Sequence, residues 1–267
     1  MLPARAAVGL IVCALSLWTA GEPATAQVMP IPLPGAPETP TLTLFWAGPG
    51  SKAQLIFIPG GEGQLNLRAG QTDVANPFYL MLKDLSRSPN PAGTLDVVLF
   101  DSPERLAISS GYPRSRATMD HLARIQSVID FYRKRTGKPV WLMGHSNGAI
   151  SVTEYLRYAQ KRGLADSIAG MIVSAANSFT YFDSTPLDLP ILFMSHRKDG
   201  CQGADPGALF RTYKKVEELD RAPTSFAYID SGSAEQRPPC ASGYHMYNGA
   251  GAEVVQVLRS FILPFVR

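Results

Sequence analysis

Gly144-His145-Ser146-Asn147-Gly148 is the segment whose residue types and spacing could most directly do chemistry. A serine hydroxyl acts as a nucleophile when a rigid support presents it to a base. Glycines two before and two after it remove Cβ atoms that would collide with a neighbouring strand and helix. The serine can then hold a strained backbone with its hydroxyl projecting. The apolar run Val140-Trp141-Leu142-Met143 precedes the segment, and a helical pattern starts near Ala149. That strand–turn–helix setting is what the G-x-S-x-G pattern requires. A helix N-terminus behind Ser146 favours the negative charge that develops in acyl transfer. A phosphate loop is the other reading of such a turn, but no Gly-Lys-Ser/Thr follows it.

Other reactive side chains are few. There are four histidines, His121, His145, His196 and His245, and three cysteines, Cys13, Cys201 and Cys240. No Cys-x-x-Cys, His-x-His or His-Glu-x-x-His spacing occurs, so no metal site and no cofactor is expected. Neither Cys201 nor Cys240 sits on a strand–helix elbow, which argues against a cysteine nucleophile. Charged residues are 18% of the 267, with a net charge of +3. That is too sparse for a nucleic-acid-binding face.

The elements that must position Ser146 follow from the apolar runs. Ala53–Pro59, Leu95–Phe100, Pro139–Met143, Ala169–Ala175, Leu189–Ser195 and Ser225–Ile229 are short, continuous and bounded by Gly, Pro or Asp. Such runs predict strands buried on both faces. Between them, Leu122, Ile125, Ile129 and Tyr132 fall on one face of a helix that ends at Gly137. Ile150–Tyr158, closed by Gly163, Pro206–Leu219 and Ala252–Phe261 are the other predicted helices. Alternating strands and helices imply an α/β fold, with a mostly parallel central sheet and helices on both faces. Its site should lie at the carboxyl ends of the strands.

The N-terminal segment reads as a secretory signal peptide over residues 1–26. It has Arg5, then an uncharged apolar run from Ala6 to Ala20, then Ala24-Thr25-Ala26 as a cleavage site. The run is too short for a comfortable membrane span, so none is expected after cleavage. A lipoprotein reading through Cys13 is weaker, because bulky Val12 precedes it. Residues 27–40 hold Pro30, Pro32, Pro34, Pro37 and Pro40. They predict an extended, poorly packed arm ahead of a single domain at 41–267. Cys13 leaves with the signal, and Cys201 and Cys240 remain as an even pair in a secreted or periplasmic protein.

From roughly Leu55 to the C-terminus the chain resembles the α/β-hydrolase superfamily, whose triad runs in the order Ser, Asp or Glu, His. The resemblance implies His245, in Gly243-Tyr244-His245-Met246 before the last helix, as general base. It implies Asp199, in the turn after Leu189–Ser195, as the acid, with Asp183, Asp188 and Asp230 as fallbacks. It also implies an oxyanion hole from two backbone N–H groups. One is that of Asn147. The other belongs to Pro59-Gly60-Gly61-Glu62-Gly63, from Gly61 or else Glu62. Pro59 stands where the family's turn usually has His. A Cys201–Cys240 disulfide would staple the acid turn to the base loop and close about 40 residues, worth about 4 kcal/mol in the chain-entropy model.

Only residues 177–188 separate two of the predicted strands where relatives insert a lid, so no sizeable lid domain is expected. Phe179, Tyr181, Phe182, Tyr112, Arg114 and Arg116 are candidates to line an open site, and the aromatics among them would equally serve to cover the core edge. The expected activity is an exported serine hydrolase acting on a small-molecule carboxylic ester, an activity like that of carboxylesterases. The same triad would serve an amidase, peptidase or thioesterase, and a non-catalytic binding protein on the same fold is the alternative class. The sequence gives no oligomeric state.

Overall fold

The structure is a computed structural model and describes residues 26–87, 93–106, 114–183, 187–234, 238–241 and 243–266. The expected signal segment, Cys13 and Tyr112 therefore lie outside the described residues, Ala26 excepted. The strands are β1 (Gln27–Leu33), β2 (Ala36–Trp46), β3 (Gln54–Ile58), β4 (Asp96–Asp101), β5 (Val140–His145), β6 (Gly170–Ser174), β7 (Ile191–His196) and β8 (Thr224–Ile229). They form one sheet in the order β1-β2-β4-β3-β5-β6-β7-β8. Strands β3 to β8 pair in parallel, so their carboxyl ends share one edge of the sheet. Each of the six predicted runs overlaps one of them, with ends that differ by no more than two residues.

The helices are α1 (Pro77–Leu82), α2 (Asp84–Arg87), α3 (Met119–Thr136), α4 (Asn147–Lys161), α5 (Pro206–Leu219) and α6 (Gly251–Ile262). Side chains alternate along each strand, so each run feeds two cores. Ile56 and Ile58 of β3 belong to the core on the α3, α4 and α5 side, with Ile125, Val152 and Leu209. Leu55 and Phe57 face α1, α2 and α6, packing with Phe78, Leu85 and Leu258. Burying one such side chain fully contributes about 1.5–3 kcal/mol. The ends of α3 follow its sequence: Thr118 accepts a hydrogen bond from the His121 N–H, and Gly137 stops it at φ +69°.

The stretch 27–40 departs from the expectation of a poorly packed arm. It is extended, but it forms β1 and the start of β2, an antiparallel hairpin around Gly35 at φ +95°. The boundary expected at residue 41 falls inside β2. Pro30, Pro32 and Pro34 are exposed and alternate with buried Ile31 and Leu33. Prolines cannot donate to a ladder, but β1 is an edge strand and tolerates them. Their spacing of two puts them on one side and leaves Ile31 and Leu33 for the core.

From β6 to β7 the chain has no helix among the described residues, and the fold carries no sizeable lid domain. No helix among the described residues is long and apolar enough to cross a membrane.

Candidate active site

Ser146 is the single residue between the end of β5 and the start of α4. It holds φ 55°, ψ −122°, a conformation that costs a non-glycine residue energy. Its N–H donates to Ser174 O at 2.9 Å, and its carbonyl accepts from the Ala149 N–H at 3.0 Å. The strain is thus held by β6 on one side and by α4 on the other. A Cβ on Gly144 would run into the backbone of Gly148, and one on Gly148 into the carbonyl of Ile58. Both glycines are required by close approach. Ser146 occupies the N-cap position of α4, yet its hydroxyl makes no capping bond.

Asp199 and His245 meet at the same sheet edge. His245 Nδ1 donates to Asp199 Oδ2 at 2.8 Å, with both side chains buried. The other carboxylate oxygen, Oδ1, accepts from the Cys201 N–H at 2.9 Å, while the Asp199 N–H donates to His196 O at 3.1 Å. Cys201 and Cys240 form a disulfide, which ties the acid turn to the loop that carries His245. The His245 ring lies 5.0 Å from the ring of His145, the residue next to Ser146. The fallback acids are committed elsewhere. Asp230 pairs with Arg197, Asp188 with Arg221, and Asp183 lies 3.8 Å from Arg157.

The loop after β3 crosses directly over the elbow. An added Cβ on Gly60 would lie 2.8 Å from Ser146 Cβ and 3.4 Å from its Oγ. Gly61 takes φ +54°, and its carbonyl accepts from the Asn147 side-chain amide at 3.3 Å. Asn147 in turn accepts through Oδ1 from Asn177 Nδ2 at 2.9 Å. As the first residue of α4, Asn147 has a backbone N–H with no acceptor one turn earlier in the helix. Gly61 and Asn147 are therefore adjacent across the nucleophile. The Glu62 side chain forms a bidentate pair with Arg105 at the surface.

Several supporting residues were not anticipated from sequence. His145 Nδ1 is bonded to Ser174 Oγ at 3.1 Å. Burial, and then the adjacent His245, hold its pKa well below the ordinary value, so the ring is neutral. Tyr247 donates to Met194 O at 3.2 Å and shares a 3.0 Å hydrogen bond with Ser174 Oγ, which anchors the His245 loop to β6 and β7. Burial pushes its phenol pKa up. His196 accepts from the Lys198 N–H at 2.9 Å, and its Nε2 bonds Ser231 O at 3.0 Å. Its ring stacks on Tyr244 at 4.2 Å. His145, Ser174 and His196 are the last residues of β5, β6 and β7, and Tyr247 lies in the loop before α6.

Among the proposed lining residues, Phe179 and Tyr181 are exposed, and Phe182 packs on Phe193 at 5.5 Å against the core. Arg114 is exposed. Arg116 corrects the expectation of an open-site residue: it is fully buried, because backbone carbonyls surround its guanidinium. Among the described residues no three His, Cys, Asp or Glu side chains come together to hold a metal ion.

The fold is that of the α/β hydrolases. A dienelactone hydrolase from Anabaena variabilis ATCC 29413 superposes with a TM-score of 0.59 at 12% identity, covering 91% of this chain and 99% of that one. An α/β serine hydrolase without lid from Xanthomonas campestris gives 0.55 at 13%, covering 92% and 97%. Brefeldin A esterase, a bacterial homologue of human hormone sensitive lipase, gives 0.62 at 15%, covering 95% and 80%. No family model matches the chain, and no curated protein matches it.

Proposed function

We propose that this chain is an exported serine hydrolase that cleaves small carboxylic esters through Ser146, His245 and Asp199. The observation that carries the reading is the buried 2.8 Å Asp199–His245 hydrogen bond beside the strained Ser146 elbow. His245, presenting Nε2, takes the proton of the Ser146 hydroxyl as its oxygen attacks the ester carbonyl. Asp199 fixes the imidazole tautomer and stabilises the imidazolium that forms. The backbone N–H groups of Asn147 and Gly61 receive the oxyanion. The protonated His245 then gives its proton to the leaving alkoxide, and an acyl-enzyme remains on Ser146. Water, deprotonated by His245, attacks that acyl carbon and releases the acid.

The short link between β6 and β7, with no helix among its described residues, supports small to medium ester substrates. The disulfide and the signal-like residues 1–26 support a secreted or periplasmic location. Assay of p-nitrophenyl esters of increasing acyl length beside peptide anilides tests the leaving group. Turnover of short esters and none of the anilides is expected. Faster anilide cleavage would replace the esterase reading with a peptidase or amidase.

A further inference from the structure

Arg116 is buried where a charge is costly, and the groups that satisfy it all belong to the supports of the site. It lies in the 3₁₀ turn Arg114–Ala117 that precedes α3. Its Nη2 donates to Pro59 O at 3.1 Å, Gly60 O at 3.3 Å and Gly61 O at 3.1 Å. Its Nη1 donates to Ser151 Oγ at 2.8 Å, on the helix that Ser146 begins. Ser151 Oγ is bonded in turn to His121 Nε2 at 2.9 Å. Among the described residues the hydrogen-bond partners of Arg116 are carbonyls and a hydroxyl, with no carboxylate. Burying a guanidinium is costly unless its donors are hydrogen-bonded, and at Nη1 and Nη2 these four bonds meet that cost.

The peptide bonds here are all trans. In a planar trans peptide the C=O and the following N–H point in opposite directions. Drawing the carbonyls of residues 59, 60 and 61 onto one guanidinium therefore aims the N–H groups of Gly60, Gly61 and Glu62 away from it. The same loop packs on Ser146 through Gly60. We propose that Arg116 is a positioning residue for the oxyanion hole, one that locks the peptide planes of the 59–62 loop against α4 before substrate arrives. The inference rests on the serine-hydrolase reading. Burial lowers the guanidinium pKa only to about 10, so the clamp is cationic at neutral pH. A lysine in its place would offer one compact ammonium that cannot span Ser151 and the three carbonyls.

The test is steady-state kinetics of the purified protein on p-nitrophenyl butyrate, with Arg116→Met, Arg116→Lys and Ser151→Ala. Arg116→Met is expected to lower kcat about 100-fold with KM within about threefold, because the loss falls on the transition state. Arg116→Lys should recover part of it, and Ser151→Ala should cost about tenfold or less. Affinity for a trifluoromethyl ketone, bound as a tetrahedral oxyanion, should fall in parallel with kcat. A purely structural Arg116 would lower the melting temperature and leave kcat of the folded protein unchanged. A folded Arg116→Met protein with kcat within about twofold of wild type overturns the proposal. If that variant does not fold, wild-type kcat in both other variants overturns it. A wild type inert to esters would instead overturn the hydrolase reading.

Discussion

His245 donates a 2.8 Å hydrogen bond to Asp199 across 46 residues of sequence, and neither side chain is more than 1% exposed. The turn after β7 and the loop before α6 meet only because β7 and β8 run in parallel and end together. The expected consequence is that Asp199→Asn folds normally but loses about 10⁴-fold in kcat, because the amide favours the wrong imidazole tautomer. Paired kinetic and thermal-melt measurements check this. A loss below about tenfold would show that another group orients His245.

The Cys201–Cys240 disulfide closes a segment with a sequence separation of 39 and borders both partners of that pair. Reduction, or Cys201→Ala with Cys240→Ala, should lower stability by up to about 4 kcal/mol. It should also lower kcat at temperatures where the reduced protein is still folded, since the Cys201 N–H holds Asp199 Oδ1. Urea midpoints and kcat in oxidised and reduced protein separate the two effects. Stability loss with unchanged kcat would leave the disulfide as a general staple.

Gly60 and Gly61 predict opposite outcomes for the same substitution. Gly60→Ala forces a methyl to within 2.8 Å of Ser146 Cβ and 3.0 Å of the His145 carbonyl. A displacement of the order of 1 Å at the nucleophile should cost about 100-fold in activity. Gly61→Ala meets open space but holds φ +54°. It should cost about 1–2 kcal/mol of stability and keep its N–H, with activity near wild type. Kinetics and melts of the two variants decide.

Buried histidines set an acid limit on stability. Burial, with Arg116 and Arg124 nearby, lowers the His121 pKa to about 3, and His145 is lowered for the same first reason. The unfolded chain binds these protons near pH 6.5 while the folded chain refuses them. Stability is therefore complete above about pH 6.5 and falls as pH drops toward 3, by about 1.4 kcal/mol per pH unit for each ring. His121→Gln should flatten the slope by one ring's share. Urea unfolding at pH 7, 6 and 5 measures it, and an unchanged slope would contradict a neutral His121.

Much of the frame was legible because β3 to β7 are buried on both faces and read as unbroken apolar runs, while the edge strand β8 is half-buried. Ser146 was legible because its two glycines are forced by contact with Gly148 and Ile58. The β1–β2 hairpin was not: prolines at 30, 32 and 34 look like linker composition, and only their alternation with Ile31 and Leu33 marks an edge strand. Helix α1, with its Asn76 cap and Pro77 start, is six residues long and too short to show a period. Arg116 was read as a candidate to line the open site because a buried charge gives no local signal. Its partners are backbone carbonyls 55 to 57 positions away and the Ser151 hydroxyl 35 positions away.

The central claim is that the Ser146 hydroxyl is an activated nucleophile, and covalent labelling tests it most directly. Folded wild-type protein treated with a fluorophosphonate and digested should carry the phosphonyl group on the peptide that contains Gly144 to Gly148. Ser146→Ala should carry none, and Asp199→Asn should label far more slowly. No adduct on folded wild-type protein, or an equal adduct on Ser146→Ala, would contradict the account.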